Sequence, residues 1–203
     1  MPASPTPRFP TVRRLLRLPA AAVLALVAAL AGCTPDTATA PTTPAAAVVP
    51  RQLVVPTAGY SQVALGNDHA CAIEAAGGAL ACWGDDNLGR ATPPAGAYTQ
   101  VSGGYAHTCA VRAGDGALAC WGSNRVGQAA PPAGAYAQVS AGEDHTCAVR
   151  AGDGALACWG YNSLGQAAPP AGPFTQVDGG TFHTCAVRAG DGALACWGSN
   201  AEG

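Results

Sequence analysis

The stretch HTCAVRAGDGALACWGSN, residues 107–124, decides the fold of this 203-residue chain. It recurs almost letter for letter at 145–162 and 183–200, and a looser copy occupies 69–86, so each copy starts 38 residues after the one before. A fixed period of this length is typical of solenoids and propellers, in which one supersecondary unit is stacked several times. We therefore predict an all-β protein built from four repeats.

Each repeat has the local pattern of a β-hairpin. The short runs CAVR and ALAC flank the turn AGDG, residues 113–116, which is rich in the glycine and aspartate that hairpin turns favour. If residues 114 and 115 form the tip, cross-strand partners sum to 229, and Cys109 lies opposite Cys120. Opposed Cβ atoms in an antiparallel pair are about 4.5–5.5 Å apart, within reach of a disulfide after slight adjustment.

The same arithmetic predicts one disulfide inside every repeat: Cys71–Cys82, Cys109–Cys120, Cys147–Cys158 and Cys185–Cys196. Free thiols are an alternative. A metal site made from the histidine and the two cysteines of each repeat is another, although structural zinc sites usually have four ligands and closely spaced cysteine pairs.

A histidine and a tryptophan also recur at fixed positions in the four repeats, at residues 69, 107, 145 and 183 and at residues 83, 121, 159 and 197. Catalysis needs one asymmetric constellation rather than four identical ones. We therefore predict that each histidine makes a hydrogen bond within its own blade, and that each tryptophan packs against the next repeat.

Residues 57–203 divide into the repeats 60–97, 98–135, 136–173 and 174–203, each starting at an aromatic residue. Every repeat offers four candidate strands, which in the second are 98–102, 108–112, 117–121 and a brief segment at 127–130. Four short strands in about 40 residues is the pattern of a propeller blade. We predict a β-propeller of four-stranded blades. Because the last repeat is incomplete, the ring is expected to be partial or completed by oligomerisation.

Residues 1–33 have the pattern of a bacterial lipoprotein signal peptide. Several arginines precede an apolar run at 18–32 that is too short for a comfortable membrane span. The run ends in LAGC, which resembles a lipobox, and the resemblance implies cleavage before Cys33 and lipidation of its sulfur. Ordinary secretion is the alternative.

Residues 34–56 are rich in proline, threonine and alanine, which predicts a disordered tether. The nine cysteines are then accounted for as one lipidated residue and eight paired ones. Disulfides require an oxidising compartment. We therefore expect a membrane-anchored lipoprotein of the bacterial cell envelope, exposed to the periplasm or the cell surface.

The patterns GxxHT at 104–108 and WGxNxxGQ at 121–128 resemble the repeat of the regulator of chromosome condensation family in its short bacterial form. The resemblance covers about residues 59–203 and implies a propeller that binds proteins with the loops of one face. The family's ring usually has more blades than four repeats supply, and the cysteine pair is a departure. We expect a longer reading frame, with an oligomer-closed ring or an open arc as alternatives. An open edge invites self-association.

The charge balance argues against the chromatin role of the family's founding member. All twelve acidic residues follow Cys33 but only six of the ten arginines do, and lysine is absent, so this part carries 6 − 12 = −6. A nucleic-acid-binding protein needs a concentrated basic surface. We expect no nucleic-acid partner.

The repeats differ most in two loops, one before each histidine and one after each Trp-Gly pair. Loop positions that vary on a repeated scaffold are where a recognition surface is expected. The candidate partner-binding residues are Asp68, Tyr105, Glu143, Asp144, Tyr161 and Phe182. Aromatic side chains would serve as anchors and acidic ones would orient the partner. Drift without selection is the alternative.

Together these features predict a non-enzymatic interaction module for an unidentified protein or glycan, without cofactor or metal. No set of serine, histidine and acid, and no pair of carboxylates, stands out beyond the repeat. A propeller-borne lyase or hydrolase is one alternative. A purely structural module of a larger surface protein is the other.

Overall fold

The computed structural model describes residues 59–201, which form twelve β-strands, one 3-10 turn at Asn87–Gly89 and no α-helix. The predicted signal peptide, Cys33 and the tether lie outside the described residues, so those predictions stay untested. The strands are β1 Tyr60–Leu65, β2 His69–Glu74, β3 Leu80–Gly84, β4 Tyr98–Gly103, β5 His107–Arg112, β6 Leu118–Gly122, β7 Tyr136–Ala141, β8 His145–Arg150, β9 Leu156–Gly160, β10 Phe174–Gly179, β11 His183–Arg188 and β12 Leu194–Gly198.

The strands form four antiparallel sheets of three, numbered here sheet 1 (β1–β3) to sheet 4 (β10–β12). The predicted hairpin register is confirmed, since Cys109 pairs with Cys120 and Val111 with Leu118. Each sheet contains the predicted disulfide between its second and third strands, with Cα atoms 4.1 Å apart. The turn depends on Gly116, whose φ of +69° is a conformation that side-chain-bearing residues rarely adopt.

The predicted fourth strand of each blade is wrong for the described residues. The segment 127–130 is a turn, in which Gly127 has a φ of +87° and the amide of Ala130 donates to the carbonyl of Gly127 at 3.0 Å. Asn124 Oδ1 accepts from the amide of Ala129 at 3.0 Å. The polar groups of this segment are thus satisfied locally, so no strand ladder is needed to pair them.

The hydrophobic core lies between successive sheets, at three contacts that we call seams. At the seam of sheets 2 and 3, buried Cys109 and Val111 pack against Tyr136, Val139 and Ala148. The other two seams repeat this arrangement with the corresponding residues. Each sheet therefore acquires a core only by stacking on a neighbour, which is the energetic logic of repeat proteins.

Glutamine side chains connect the first strands of successive sheets. Gln100 Nε2 donates to the carbonyl of Val139 at 3.1 Å, and the amide of Val139 donates to Gln100 Oε1 at 2.7 Å. Gln62 and Gln138 bond in the same way to the valines at 101 and 177. One side-chain amide thus satisfies both the N–H and the C=O of one valine on an edge strand, groups that would otherwise be open to pairing with another chain.

The histidines also cross the seams, so the prediction of hydrogen bonds within one blade is wrong. His107 Nε2 lies 2.8 Å from Thr146 Oγ1 of the next sheet, and both residues are fully buried. His69 and His145 reach threonines 108 and 184 in the same way. Because the hydroxyl of Thr146 donates to the carbonyl of Gln128 at 2.9 Å, the proton between the two side chains belongs to His107 Nε2.

The tryptophans pack on the preceding repeat, so the prediction that they contact the next one is wrong. Trp159 Nε1 donates to the carbonyl of Gln128 in the repeat before it, at 2.8 Å. Trp121 and Trp197 make the same bond backwards to residues 90 and 166. A seam thus combines a histidine directed forward with a tryptophan directed back.

Candidate functional site

Two sets of loops leave each sheet at the same end, because its first and third strands run in the same direction. The amide of Ser123 donates to the carbonyl of Ala106, and that of Tyr161 to the carbonyl of Asp144, both at 2.8 Å. We call this end the loop face. It consists of the loops 66–68, 104–106, 142–144 and 180–182 and the segments 85–89, 123–127, 161–165 and 199–201.

The three aromatic candidates lie on the loop face. Tyr105, Tyr161 and Phe182 expose between 39% and 49% of their surface, whereas Tyr98, Tyr136 and Phe174 in the seams are buried. Tyr105 and Phe182 occupy equivalent loops two repeats apart, and Tyr161 follows the third strand of sheet 3. Their part in binding remains a prediction.

The three acidic candidates differ in their exposure and in the groups they contact, and Asp68 accepts a hydrogen bond from Asn67 Nδ2 at 2.6 Å. Asp68 is exposed and lies 3.9 Å from the Arg90 guanidinium, a contact of little energetic value at a surface. Glu143 is half-buried. Asp144, by contrast, accepts a hydrogen bond from Gln128 Nε2 at 2.9 Å and so helps to fix the preceding repeat's loop. Asp144 therefore has a structural task in addition to its predicted one.

A row of exposed aliphatic side chains on the loop face was missing from the sequence prediction. Leu88, Val126 and Leu164 occupy the same repeat position and expose between 44% and 57% of their surface. The buried Gln128 holds the amide of Val126 through its Oε1 at 3.0 Å, and Gln166 holds Leu164 likewise. The available signal was an apolar residue recurring every 38 positions in a glycine-containing loop.

A shallow depression of about 490 Å³ crosses the loop face and is lined by residues of all four repeats. Its wall includes Asn67, Tyr105, Glu143 and Thr181, which occupy the loops that differ among repeats. The depression thus brings two of the candidate residues, Tyr105 and Glu143, to one concave surface.

The buried histidines are uncharged at neutral pH. Burial, together with the nearby His145 and His69, lowers the pKa of His107 to about 4. Burial also lowers the pKa values of His69 and His145, although Asp68 and Asp85 oppose the change at the first and Asp144 at the second. The Nδ1 atoms of these three residues are buried without a partner. Each ring is committed to its threonine, which does not suit it for proton transfer to a substrate.

Within residues 59–201, no three side chains of histidine, cysteine, aspartate or glutamate are arranged to hold a metal ion. None of the helical structure in the same range is long and apolar enough to cross a membrane.

Repeated antiparallel sheets that share their core with their neighbours and present loops at one end define a protein of the β-propeller class. Residues 98–128, 136–166 and 174–203 match the Regulator of chromosome condensation (RCC1) repeat. These three repeats are repeats of that family.

Solved structures agree with this assignment at the level of the fold. The ectodomain of the Physcomitrella patens receptor kinase CR4 is 25% identical, with a TM-score of 0.63 over 74% of this chain and 44% of that one. The CRINKLY WD40 ectodomain of the Arabidopsis thaliana receptor kinase ACR4 is 24% identical, with a TM-score of 0.59 over 71% and 51%. Prp20p from Saccharomyces cerevisiae is 18% identical, with a TM-score of 0.61 over 72% and 47%.

The chain thus spans about half the length of these solved structures. No curated protein sequence matches it.

Proposed function

We propose that this protein is a non-enzymatic interaction module of the bacterial cell envelope, anchored through a lipidated Cys33, that binds a protein with its loop face. One observation carries the proposal: the loop face gathers exposed side chains that differ from repeat to repeat, on loops that are rigidly held by hydrogen bonds that do repeat. Rigid presentation lowers the entropy that a binding surface loses on association.

The composition of the loop face favours a protein partner. Exposed tyrosine and phenylalanine are frequent energetic anchors of protein interfaces. They share the loop face with the exposed aliphatic row of Leu88, Val126 and Leu164, so this face offers apolar side chains to a partner. The structure of Prp20p was described together with its binding to Gsp1p and histones, which supports protein binding by this fold.

The envelope location is supported by the four disulfides, which form and persist in oxidising compartments. Two of the similar structures are receptor ectodomains. The lipid anchor rests on the sequence pattern that ends at Cys33.

The binding proposal is tested by comparing two triple variants of the full chain as baits in its native envelope. Tyr105→Ser, Tyr161→Ser and Phe182→Ser together alter the loop face. Ala113→Ser, Ala151→Ser and Ala189→Ser together alter the turns at the opposite end of the sheets, where these alanines are exposed. We expect a specific partner, quantified by mass spectrometry, to fall at least about tenfold with the first bait and to be retained by the second. Equal capture by the two baits would refute the assignment of the face.

The anchor is tested separately by metabolic labelling with a clickable fatty acid. Wild-type protein should carry the label and partition into detergent, whereas Cys33→Ser should do neither. A label that persists in Cys33→Ser would contradict the anchor, and it would leave the binding result unaffected.

A further inference from the structure

Glu143 differs from the other carboxylates of the loop face in having no internal partner. Each of the others accepts a hydrogen bond: Asp68 from Asn67 Nδ2, Asp85 from the amide of Asn87, Asp86 from Thr92 Oγ1 and Asp144 from Gln128 Nε2. The half-buried side chain of Glu143 makes neither a hydrogen bond nor an ion pair within residues 59–201. Its carboxylate is therefore available to a charged donor that comes from outside the chain.

Glu143 also supplies the charge of the depression on the loop face. All the other residues in the described wall are uncharged, and six of them are glycines, whose lack of side chains leaves the carboxylate accessible. The arginines of the loop face do not line the depression, and Arg90 is buried with its guanidinium 3.5 Å from Asp85. A concave surface with one negative charge and no compensating positive one attracts a cation.

Tyr105 lies directly beside Glu143. The amide of Tyr105 donates to the carbonyl of Glu143 at 3.3 Å, and the amide of Glu143 donates to the carbonyl of Gly180 at the same distance. These main-chain bonds join the loops of three successive repeats, so an aromatic ring and a carboxylate are held at fixed neighbouring positions. Little conformational entropy is then lost when a ligand binds between them.

The ring of Tyr105 is suited to a cation that the chain itself does not provide. Two tyrosines of the seams already lie next to an arginine, since the guanidinium carbons of Arg112 and Arg150 are 5.8 and 5.4 Å from the ring centres of Tyr98 and Tyr136. Tyr105 has no such neighbour within residues 59–201 and is 49% exposed. The face of an aromatic ring attracts a lysine or arginine head group.

We infer that the depression receives a lysine or arginine side chain of the protein partner, with Glu143 as the counter-charge and Tyr105 as the aromatic surface beside it. The inference rests on the proposed function, because it requires the loop face to be the binding surface. Glu143 is the specificity determinant, since the equivalent residues of the other repeats, Asn67, Tyr105 and Thr181, carry no charge.

The inference is tested on the isotope-labelled full chain with n-butylammonium, which has the charged end of a lysine side chain. n-Butanol, of similar length and uncharged, is the matched control probe. The measured quantities are the amide chemical shifts of Tyr105, Glu143 and Thr181 as the probe concentration rises. We expect saturable shifts with n-butylammonium and none with n-butanol.

Glu143→Gln should weaken the apparent affinity for n-butylammonium about fivefold, and Tyr105→Leu about threefold, as one exposed ion pair and one cation–π contact imply. Glu74→Gln is the matched control, because it removes a half-buried glutamate from the opposite end of sheet 1, and it should leave the affinity unchanged. Equal shifts with the two probes, or an unchanged affinity in Glu143→Gln, would overturn the inference.

Failure of the proposed function is distinguished by adding Glu143→Gln to the bait comparison. A partner that is lost with the three loop-face serines but captured at the wild-type level by Glu143→Gln would refute the cation site alone. A partner that is captured equally by all baits would refute the loop face as the binding surface.

Discussion

The seams and the loop face are built from the same repeats, yet their residues obey opposite rules. Seam residues such as His107 and Thr146 recur with their neighbours and are fully buried. Loop-face residues such as Tyr105 and Glu143 stand at equivalent positions 38 residues apart, differ in type, and are not fully buried. Residues that recur in every repeat thus form the contacts between sheets, while residues that differ between repeats are available for recognition.

The largest effect should come from removing a disulfide that packs into a seam. Cys109→Ala with Cys120→Ala should lower the free energy of unfolding by about 3 kcal/mol, because the bridge closes a short loop in the unfolded chain. Urea unfolding measures the change. Cys185→Ala with Cys196→Ala is the matched control, because it opens a loop of the same length but its cysteines pack into no seam of the described residues, so its cost should be smaller. A larger cost for the control pair would contradict this view of the seams.

The second-largest effect on stability is expected from acidification, which should destabilise the seams. The pKa of His107 is about 4 in the folded protein and about 6.5 in the unfolded chain. Below pH 6.5 the unfolded chain therefore binds a proton that the folded protein does not, so the contribution of His107 to the free energy of unfolding is complete above pH 6.5 and is lost as the pH falls toward 4. We expect about 2 kcal/mol less stability at pH 5 than at pH 7.5 from this residue alone.

The matched control for acidification is His107→Gln, which keeps a donor for Thr146 but does not titrate. Carboxylates titrate in both proteins, so the difference between their pH profiles of unfolding free energy isolates the histidine. Identical slopes between pH 7.5 and pH 5 would show that His107 is not responsible.

A smaller loss is expected from Thr146→Val, which keeps the shape but removes the hydroxyl. The substitution leaves the N–H of His107 Nε2 without an acceptor and removes the hydrogen bond from Thr146 to the carbonyl of Gln128. We expect the free energy of unfolding to fall by about 1–2 kcal/mol. Thr175→Val is the control, because that threonine is exposed. Thermal unfolding should separate the two variants by several degrees, and coincident curves would refute the importance of this contact.

The smallest effect on stability is expected on the loop face. Tyr161→Ser should change the free energy of unfolding by less than about 0.5 kcal/mol, as exposed substitutions usually do. The measurement is the same urea unfolding curve. A loss comparable to that of Thr146→Val would mean that Tyr161 supports the fold.

Local geometry was predictable from the sequence. The disulfides followed from the hairpin register, because Cys109 and Cys120 are close along the chain and their pairing depends on one turn. The direction of the seam contacts was not predictable in the same way. Since every repeat has the same residues at these positions, the periodicity does not show whether the hydrogen-bond partner of His107 lies in its own sheet, in the next sheet or in the preceding sheet.

The loop face was predicted in part. Tyr105, Tyr161 and Phe182 were found because they break the repeat. Leu88, Val126 and Leu164 were not among the candidate residues, although Val126 and Leu164 lie in the loops after Trp-Gly where a recognition surface was expected. The prediction of a fourth strand was wrong because Gly127 adopts a positive φ, a conformation that glycine permits but does not require.

The most direct test of the whole account is site-specific photo-cross-linking in intact cells. A photoreactive residue is placed at Tyr161 on the loop face, and separately at Asp153 in the turn at the opposite end of the same sheet. We predict a discrete cross-linked protein from position 161 and none from position 153. The same cross-link from both positions, or one from position 153 alone, would contradict recognition by the loop face.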